Sequence, residues 1–352
     1  MAEEQEVTLE DCIRSSNRKR IALLTLLVAL IFLSVYTLTI GSVDISPSRI
    51  LDILFNRGTT TEDIVIWEWR LPIIIGTLMV GAGLGIAGAV MQCILKNPLG
   101  SPYTLGLSSA AAFGASFGIV ISEGIFGGVA SDVSPYFITF NAFIWSLIAT
   151  GFIILMAKYT NVSPESMVLA GVAIGSIFSA GVSAFQYFSN DSTLASIVYW
   201  QFGDVTKLSW DEITIIGVVL LACCTYFFYK RWDYNALDAG DETARCLGVN
   251  VNSTRIVGMI MAALLTSIVV SFVGIIGFIG LLGPHIVRRV LGGDHRFLLF
   301  GSMLVGSLIL LIANTVGQNA FNFVMPVGII TSFLGGPLFL YILLKSYRRK
   351  GY

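Results

Sequence analysis

The sequence predicts an all-α polytopic membrane protein of about ten transmembrane helices, with a short broken helix pair and a weak inverted repeat. Three observations predict it. Hydrophobic residues make up 55% of the 352-residue chain and charged residues 12%, about half the share found in soluble domains. Apolar runs long enough to cross a bilayer recur along almost the whole length. The basic residues fall in alternate connecting segments, as they do when one set faces the cytoplasm. The same composition excludes collagen-like, disordered and low-complexity chains.

A helical span needs about 20 apolar residues. Runs of that kind cover Ile21–Ile40, Leu71–Leu95, Tyr103–Ser122, Phe137–Met156, Met167–Tyr187, Ile213–Tyr229, Leu298–Val316 and Val327–Leu344. The segment before the first run is polar, and no small-residue cleavage pattern follows it, so that run is expected to remain as a span. The 36 glycines are spread through the apolar runs, where membrane bundles use them to bring backbones close.

A longer run, Ile256 to Gly283, is either one tilted span or a hairpin. Arg255 precedes it, and Arg288, Arg289 and Arg296 follow it. Both ends are therefore cytoplasmic, which requires an even number of crossings. The turn is expected at Phe272–Gly277. The return limb, Ile275 to about Val290, is short and contains Pro284, so it must be buried among other helices.

With both termini inside, 17 of the 21 lysines and arginines lie on inner segments. Arg49, Arg57, Arg70 and Lys207 are the four outside. A nine-span arrangement would place the last basic cluster outside, against the rule. Two outer pieces read as structured: an amphipathic turn at Ser46–Phe55, opened by serine and proline, and a short apolar helix at Ser192–Phe202. A faint repeat pairs Arg70, opening a span that runs to Asn97-Pro98-Leu99-Gly100, with Arg255, opening the pair that runs to Gly283-Pro284-His285. The two start on opposite sides of the membrane, as inverted repeats do.

The deep spans offer few charges, mainly Gln92, Asn141, Gln186, Asn314 and small hydroxyls. Ion-coupled carriers bury acids, lysine or histidine at depth. Energy for uphill movement is therefore expected to enter from outside the membrane domain. Cys12, Cys93, Cys223, Cys224 and Cys246 form no C-x-x-C pair and read as free thiols. His285 and His295, ten residues apart with no third ligand, make a poor metal site. No catalytic constellation and no nucleic-acid signature is present. Gly277–His285 is glycine-spaced but lacks the Lys-Ser/Thr ending of a phosphate loop. Small-x-x-x-small pairs at Gly81/Gly85, Gly114/Gly118 and Gly171/Gly175 are expected to pack within one bundle in preference to a dimer face.

The cytoplasmic stretch Asp238–Val249 is the most informative loop. Glu242 to Leu247 can form a short helix stopped at Gly248. It is either a solvated connection or a docking element that takes up motion from a partner.

Taken in order, the blocks resemble the permease subunits of iron-chelate and cobalamin importers, the type II class of ABC importers. The likeness runs from about Ser42 onward. It is carried by Arg70-Leu71-Pro72, Val80–Leu84, Gly88–Gln92, Asn97–Pro102, Leu105–Ala111, Leu169–Ala173, Ala244–Val249, Gly277–His285, Asp294-His295-Arg296, Pro326–Thr331 and Gly335-Gly336-Pro337. It implies a cytoplasmic tail (1–20), a ten-helix permease domain (21–345) with a coupling segment (238–250), and a second cytoplasmic tail (346–352). It implies a homodimer in the cell membrane, two cytoplasmic ATP-binding subunits that hold ATP and magnesium, an extracytoplasmic substrate-binding protein, and no cofactor or metal on this chain. Gly240, Glu242, Ala244, Arg245, Leu247 and Gly248 match the ATPase-coupling element, with Ala244 and Gly248 expected to face a cleft on the partner. Asn97-Pro98-Leu99 and Ser163-Pro164-Glu165 match cytoplasmic gates. Arg70 matches a position that docks the binding protein; an interfacial anchor for its own span is the alternative. Ile73 stands where a second basic residue is common, and Val324-Met325 where an acid is, so the docking chemistry departs from the best-known members. The resemblance implies a chelate as cargo: ferric siderophore first, then cobalamin, haem, and molybdate or tungstate. The rivals are an ion-coupled secondary transporter, disfavoured by the uncharged spans, and a membrane-embedded enzyme, disfavoured by the missing catalytic groups.

Overall fold

The computed structural model describes residues 9–41, 45–55, 60–125, 135–160, 162–320 and 323–349. All regular structure in these residues is helical. Helix α1 is Leu9–Thr39, α2 Pro47–Phe55, α3 Thr61–Ile64, α4 Leu71–Ile94, α5 Leu107–Ile125, α6 Pro135–Tyr159, α7 Pro164–Phe188 and α8 Asp191–Gln201. Then follow α9 Trp210–Tyr229, α10 Arg231–Asp238, α11 Asp241–Cys246, α12 Val251–Val273, α13 Ile279–Leu291, α14 His295–Asn319 and α15 Val327–Arg349.

Among the described residues, seven helical stretches are long and apolar enough to cross a membrane: α1, the continuous α3-to-α4 unit, α6, α7, α9, α12 and α14. Helices α5 and α15 supply two further apolar helices, and α13 is the short broken limb. Each of the eight shorter apolar runs is thus a helix, and the long run gives two, α12 and α13, for ten in all. The outer pieces also form, as α2 and α8. The α1 helix begins at Leu9, so much of the polar N-terminal stretch is a helical extension of the first span. The third run begins later than its hydrophobicity implied. Residues 101–106 instead turn through hydrogen bonds between Ser101 and Thr104, and Gly106 takes φ +74°.

A π-type stretch, Val65–Arg70, joins α3 to α4. Pro72 lies just beyond it. Proline has no N–H to give to the preceding turn and its ring crowds that turn's carbonyl, so a locally widened helix suits this position.

The core is built around α4. Every residue from Val80 to Ile94 is buried, and the helix packs against α9, α12, α13 and α14. Glycine permits this. A methyl group on Gly85 would lie 2.1 Å from the Ser302 carbonyl oxygen, and one on Gly81 2.6 Å from that of Gly306. Both are backbone atoms of α14. The Gly114 and Gly118 pair meets Asn141 of α6, and Gly171/Gly175 meets Leu105 and Gly106 at the start of α5. All three small-residue pairs therefore pack inside the subunit.

Helix α12 ends at Val273, with Gly274 at φ +76°. The chain reverses through 274–278, and α13 starts after Phe278, a left-handed residue. Pro284 sits inside α13 and leaves the Gly280 carbonyl without its intrahelical donor. That oxygen lies against Gly88 of α4, where only a hydrogen atom fits. One turn on, Gln92 Nε2 donates to the Leu281 carbonyl at 3.3 Å. The broken limb is thus an interior element seated on α4.

Candidate functional site

Between α9 and α12 the chain folds as two short helices, and the segment expected to couple, 238–250, holds the second. The first, α10, was not expected as a helix. It forms because Tyr234, Ala236 and Leu237 bury one amphipathic face, with help from Asn235. The Asn235 carboxamide accepts from the His295 backbone N–H at 2.8 Å and faces His295 Nδ1 at 3.0 Å. Its Nδ2 donates to Asp294 at 3.1 Å. Arg288 reaches Asp238 at 3.2 Å. These contacts tie α10 to the end of α13 and the start of α14.

Gly240, at φ +119°, turns the chain into α11. The α11 C-terminus is closed by two hydrogen bonds, Gly248 N–H to the Arg245 carbonyl at 3.0 Å and Val249 N–H to that of Ala244 at 2.9 Å. Gly248 stands at φ +83°, the left-handed residue that this double bond pattern requires. The helix opens at Asp241, one residue before the sequence placed it. Glu242, Arg245, Leu247 and Gly248 are exposed, and Leu247, 68% exposed, puts an apolar tip on the projection. Ala244 differs from the expectation. It is wholly buried in the chain's own core, because the helix must seat one side on the bundle. It supports the projection and offers no contact to a partner.

The segment that follows α4 meets α11 here. After α4, Lys96 adopts φ +47°, and Asn97 Oδ1 accepts from the Leu99 N–H at 2.9 Å, which leaves Pro98 and Leu99 exposed. Lys96 Nζ lies 2.7 Å from Asp241 Oδ1, and Arg255 Nη2 donates to the same oxygen at 2.7 Å. Partial burial opposes the charge on Asp241, but Lys96 and Arg255 together hold its carboxyl below the usual range. Ser163 caps α7 through the Ser166 N–H, with Pro164 in the first turn, and Ser163 Oγ donates to Glu165 at 2.5 Å. That bond, with one from its own backbone N–H, holds the Glu165 carboxyl below its ordinary value. Residues 97–99 and 240–248 thus flank one charge cluster. Sequence reasoning missed that cluster, because its members are far apart in the chain and follow no period.

Cys93, Asp238 and His295 bring potential metal-ligating atoms within 4.8 Å of one another. The sequence had weighed only the two histidines. His285 is instead on α13, edge-on to Phe339. In the three-residue group each ligating residue already faces protein: Asp238 faces Arg288, His295 Nδ1 faces Asn235, and Cys93 faces the Tyr234 carbonyl at 3.5 Å. The group reads as a polar staple under α10. Asp294, beside it, caps α14. Burial works against its charge, yet hydrogen bonds from Arg296 and Asn235 hold its carboxyl at about 2.

On the opposite side, Arg70 is turned onto its own chain. Its Nη1 donates to the Leu38 carbonyl at 2.6 Å, one of the last carbonyls of α1, which have no helical donor. The guanidinium also packs on Gly41. This is the geometry of an anchor between the first two spans.

The FecCD transport family model matches residues 26–345. The chain belongs to the FecCD transport family. It is 48% identical over 340 residues, 95% of this chain and 97% of the other, to a Methanocaldococcus jannaschii protein provisionally named an ABC transporter permease. It is 34% identical over 339 residues, 96% and 98% of the two chains, to the Fe(3+)-citrate import system permease of Bacillus subtilis. Relatives at 32–33% identity are named for import of hemin in Yersinia pestis, molybdate in Haemophilus influenzae and vitamin B12 in Salmonella. A solved structure described as an inward-facing metal-chelate-type ABC transporter superposes with a TM-score of 0.81 at 29% identity, covering 93% of this chain and 99% of that one. As a FecCD permease the chain is a multi-pass membrane subunit of an ABC importer and is not itself the ATPase. FecCD permeases work in complexes with ATPases and binding proteins.

Proposed function

We propose that this FecCD permease carries a metal chelate inward across the cell membrane, as a homodimer with both termini cytoplasmic. Two ATP-hydrolysing subunits dock beneath it on Gly240, Glu242, Arg245, Leu247 and Gly248, with Ala244 as the seat of that element. The observation that carries this reading is α11 itself: a six-residue helix closed at its C-terminus, fixed at Asp241, and presenting an exposed leucine. A solvated connection has no need of such fixation. A helix that receives a push does.

Asn97-Pro98-Leu99 and Ser163-Pro164-Glu165 form the cytoplasmic gate. A substrate-binding protein delivers cargo to the outer face, near Arg70. Ferric siderophore is the first cargo to try, then cobalamin, haem, and molybdate or tungstate. The test is ATP-dependent uptake by the permease reconstituted in liposomes with its ATPase and binding protein, with each of these cargoes offered in turn. Uptake of a ferric chelate that requires ATP and the binding protein is expected. Uptake driven by an ion gradient without ATP would overturn the reading in favour of a secondary transporter.

A further inference from the structure

Helix α11 has six residues, too few to hold its shape alone. It is flanked by Gly240 and Gly248, both at positive φ and both in open space; a methyl on Gly248 would touch nothing within 4 Å, and one on Gly240 only the Thr243 hydroxyl at 3.8 Å. Two unpacked glycines are two hinges. A push on such a helix would be absorbed by rotation about them. Ala244 seats the middle of the helix but fixes no direction.

Asp241, the first residue of α11, removes that freedom. Its Oδ1 is held at 2.7 Å by Lys96 from the end of α4, and at 2.7 Å by Arg255 from α12. The Arg255 side chain is 4% exposed, so it cannot follow a moving carboxylate. Lys96 is the more informative partner. It occupies the left-handed position that ends α4, with the Asn97 N–H bonded to the Gln92 carbonyl and its own N–H to that of Cys93. Glycine is the unstrained choice there. A lysine in that conformation marks a position whose side chain has a task beyond reversing the chain. The next three residues are the gate loop Asn97-Pro98-Leu99.

We propose that Asp241, gripped between Lys96 and Arg255, is the positioning residue that joins α11 to the Asn97–Leu99 loop as one rigid lever. Movement received at α11 then arrives at the gate undiminished. The pair to Lys96 is partly exposed and contributes little to stability; its value is geometric. This inference rests on the ABC-transport reading above.

The experiment measures uptake and ATP hydrolysis together, in liposomes holding the permease, its ATPase and its binding protein, for the wild type, Lys96→Met, Lys96→Arg and Asp241→Asn. Lys96→Met and Asp241→Asn are expected to assemble and to hydrolyse ATP, with cargo moved per ATP lowered at least tenfold. Lys96→Arg, which keeps the cation, is expected to restore the ratio to within about twofold of wild type. Lys96 is 38% exposed, so Lys96→Met carries the test even where Asp241→Asn, which strips a buried arginine of its carboxylate, fails to fold. The lever is overturned if Lys96→Met moves as much cargo per ATP as wild type. It is equally overturned if uptake and hydrolysis fall in the same proportion, the mark of a merely structural defect. The wild-type complex tests the transport reading separately, because that reading alone predicts its ATP-dependent uptake.

Discussion

Replacing Gly88 by alanine should separate the broken limb from the core, and replacing Gly83 should not. The two glycines lie on the same helix, and the intrinsic helix preference of alanine over glycine, about 1 kcal/mol, is common to both. At Gly83 the new methyl meets Leu265 and Val269 side chains at 3.4 Å, ordinary contact. At Gly88 it lies 1.8 Å from the Gly280 carbonyl oxygen and 2.5 Å from its carbon. To reach even a 3.0 Å contact, the backbones of α4 and α13 must part by about 1.2 Å. Overpacking of this kind costs roughly 1–3 kcal/mol. The same displacement breaks the 3.3 Å bond from Gln92 to Leu281. Gln92 Oε1 is already buried without a partner, so losing the remaining bond adds about 1–3 kcal/mol. Together these outweigh the propensity gain by about 3 kcal/mol. Thermal unfolding of the purified permease should show Gly88→Ala melting roughly 5 °C or more below wild type, and Gly83→Ala at or above it. Equal melting temperatures for Gly88→Ala and wild type would refute the close seating of α13 on α4.

Leu247→Asp should prevent assembly with the ATPase while leaving the permease fold intact, because Leu247 is exposed; co-purification checks this, and full assembly would make α11 an ordinary loop. Ala244→Trp, by contrast, should lower permease stability even without a partner, since Ala244 is fully buried; unchanged melting of the isolated subunit would contradict that burial. Arg70→Ala should cost about 1–2 kcal/mol by leaving the Leu38 carbonyl unpaired, and Arg70→Glu should in addition weaken binding-protein docking at low salt; unchanged stability of the alanine variant would remove the anchoring role. A single-cysteine protein retaining the exposed Cys246 should react with an impermeant maleimide only after the membrane is opened, and labelling in intact cells would reverse the proposed topology. The folded Asp294 carboxyl stands at about 2 against an ordinary value of 3.8. Its stabilising contribution is therefore fully present above about pH 4 and lost as pH falls toward 2; in Asp294→Asn that acid-side decline should flatten, and an unchanged profile would rule the residue out as its source.

The spans were legible because each is self-contained: a bilayer-length apolar run must be a helix whatever surrounds it. Pro284 in a short limb flanked by arginines was enough to demand an interior hairpin. Turn chemistry made α11 legible too, since Gly248 can only end a helix there. What sequence could not give was side-chain partnership across the chain. Nothing in Lys96, Asp241 and Arg255, or in Asn235, Asp294 and His295, announces that they meet. The amphipathic octet of α10 is too short to register as a helix without the groups that hold it. The same blindness put Ala244 on the outside of its helix and left Arg70 undecided between a partner and its own first span, where the Leu38 carbonyl meets it.

The distribution of buried charge bears on where the driving energy enters. Among the described residues the buried Asp, Glu, Lys, Arg and His side chains are Asp63, Arg255 and His295, the last being the first residue of α14. Asp63 belongs to the capping box that opens α3, and Arg255 to the second turn of α12, bound to Asp241. Both stand at the ends of their helices. The polar groups deep in the packed core are amides and hydroxyls: Thr77, Gln92, Ser267, Ser302 and Asn314. A carrier coupled to protons or sodium must change the charge or coordination of a group at that depth, and none of these amides or hydroxyls titrates near neutral pH. The glycine contacts that let α4 lie against α13 and α14 also make this core resistant to small deformations, because it closes on backbone atoms. In the proposed orientation, force applied at the cytoplasmic rim is expected to travel through it as displacement of whole helices. A fixed α11 at that rim, and a core that moves in rigid pieces, are the two parts such a device requires.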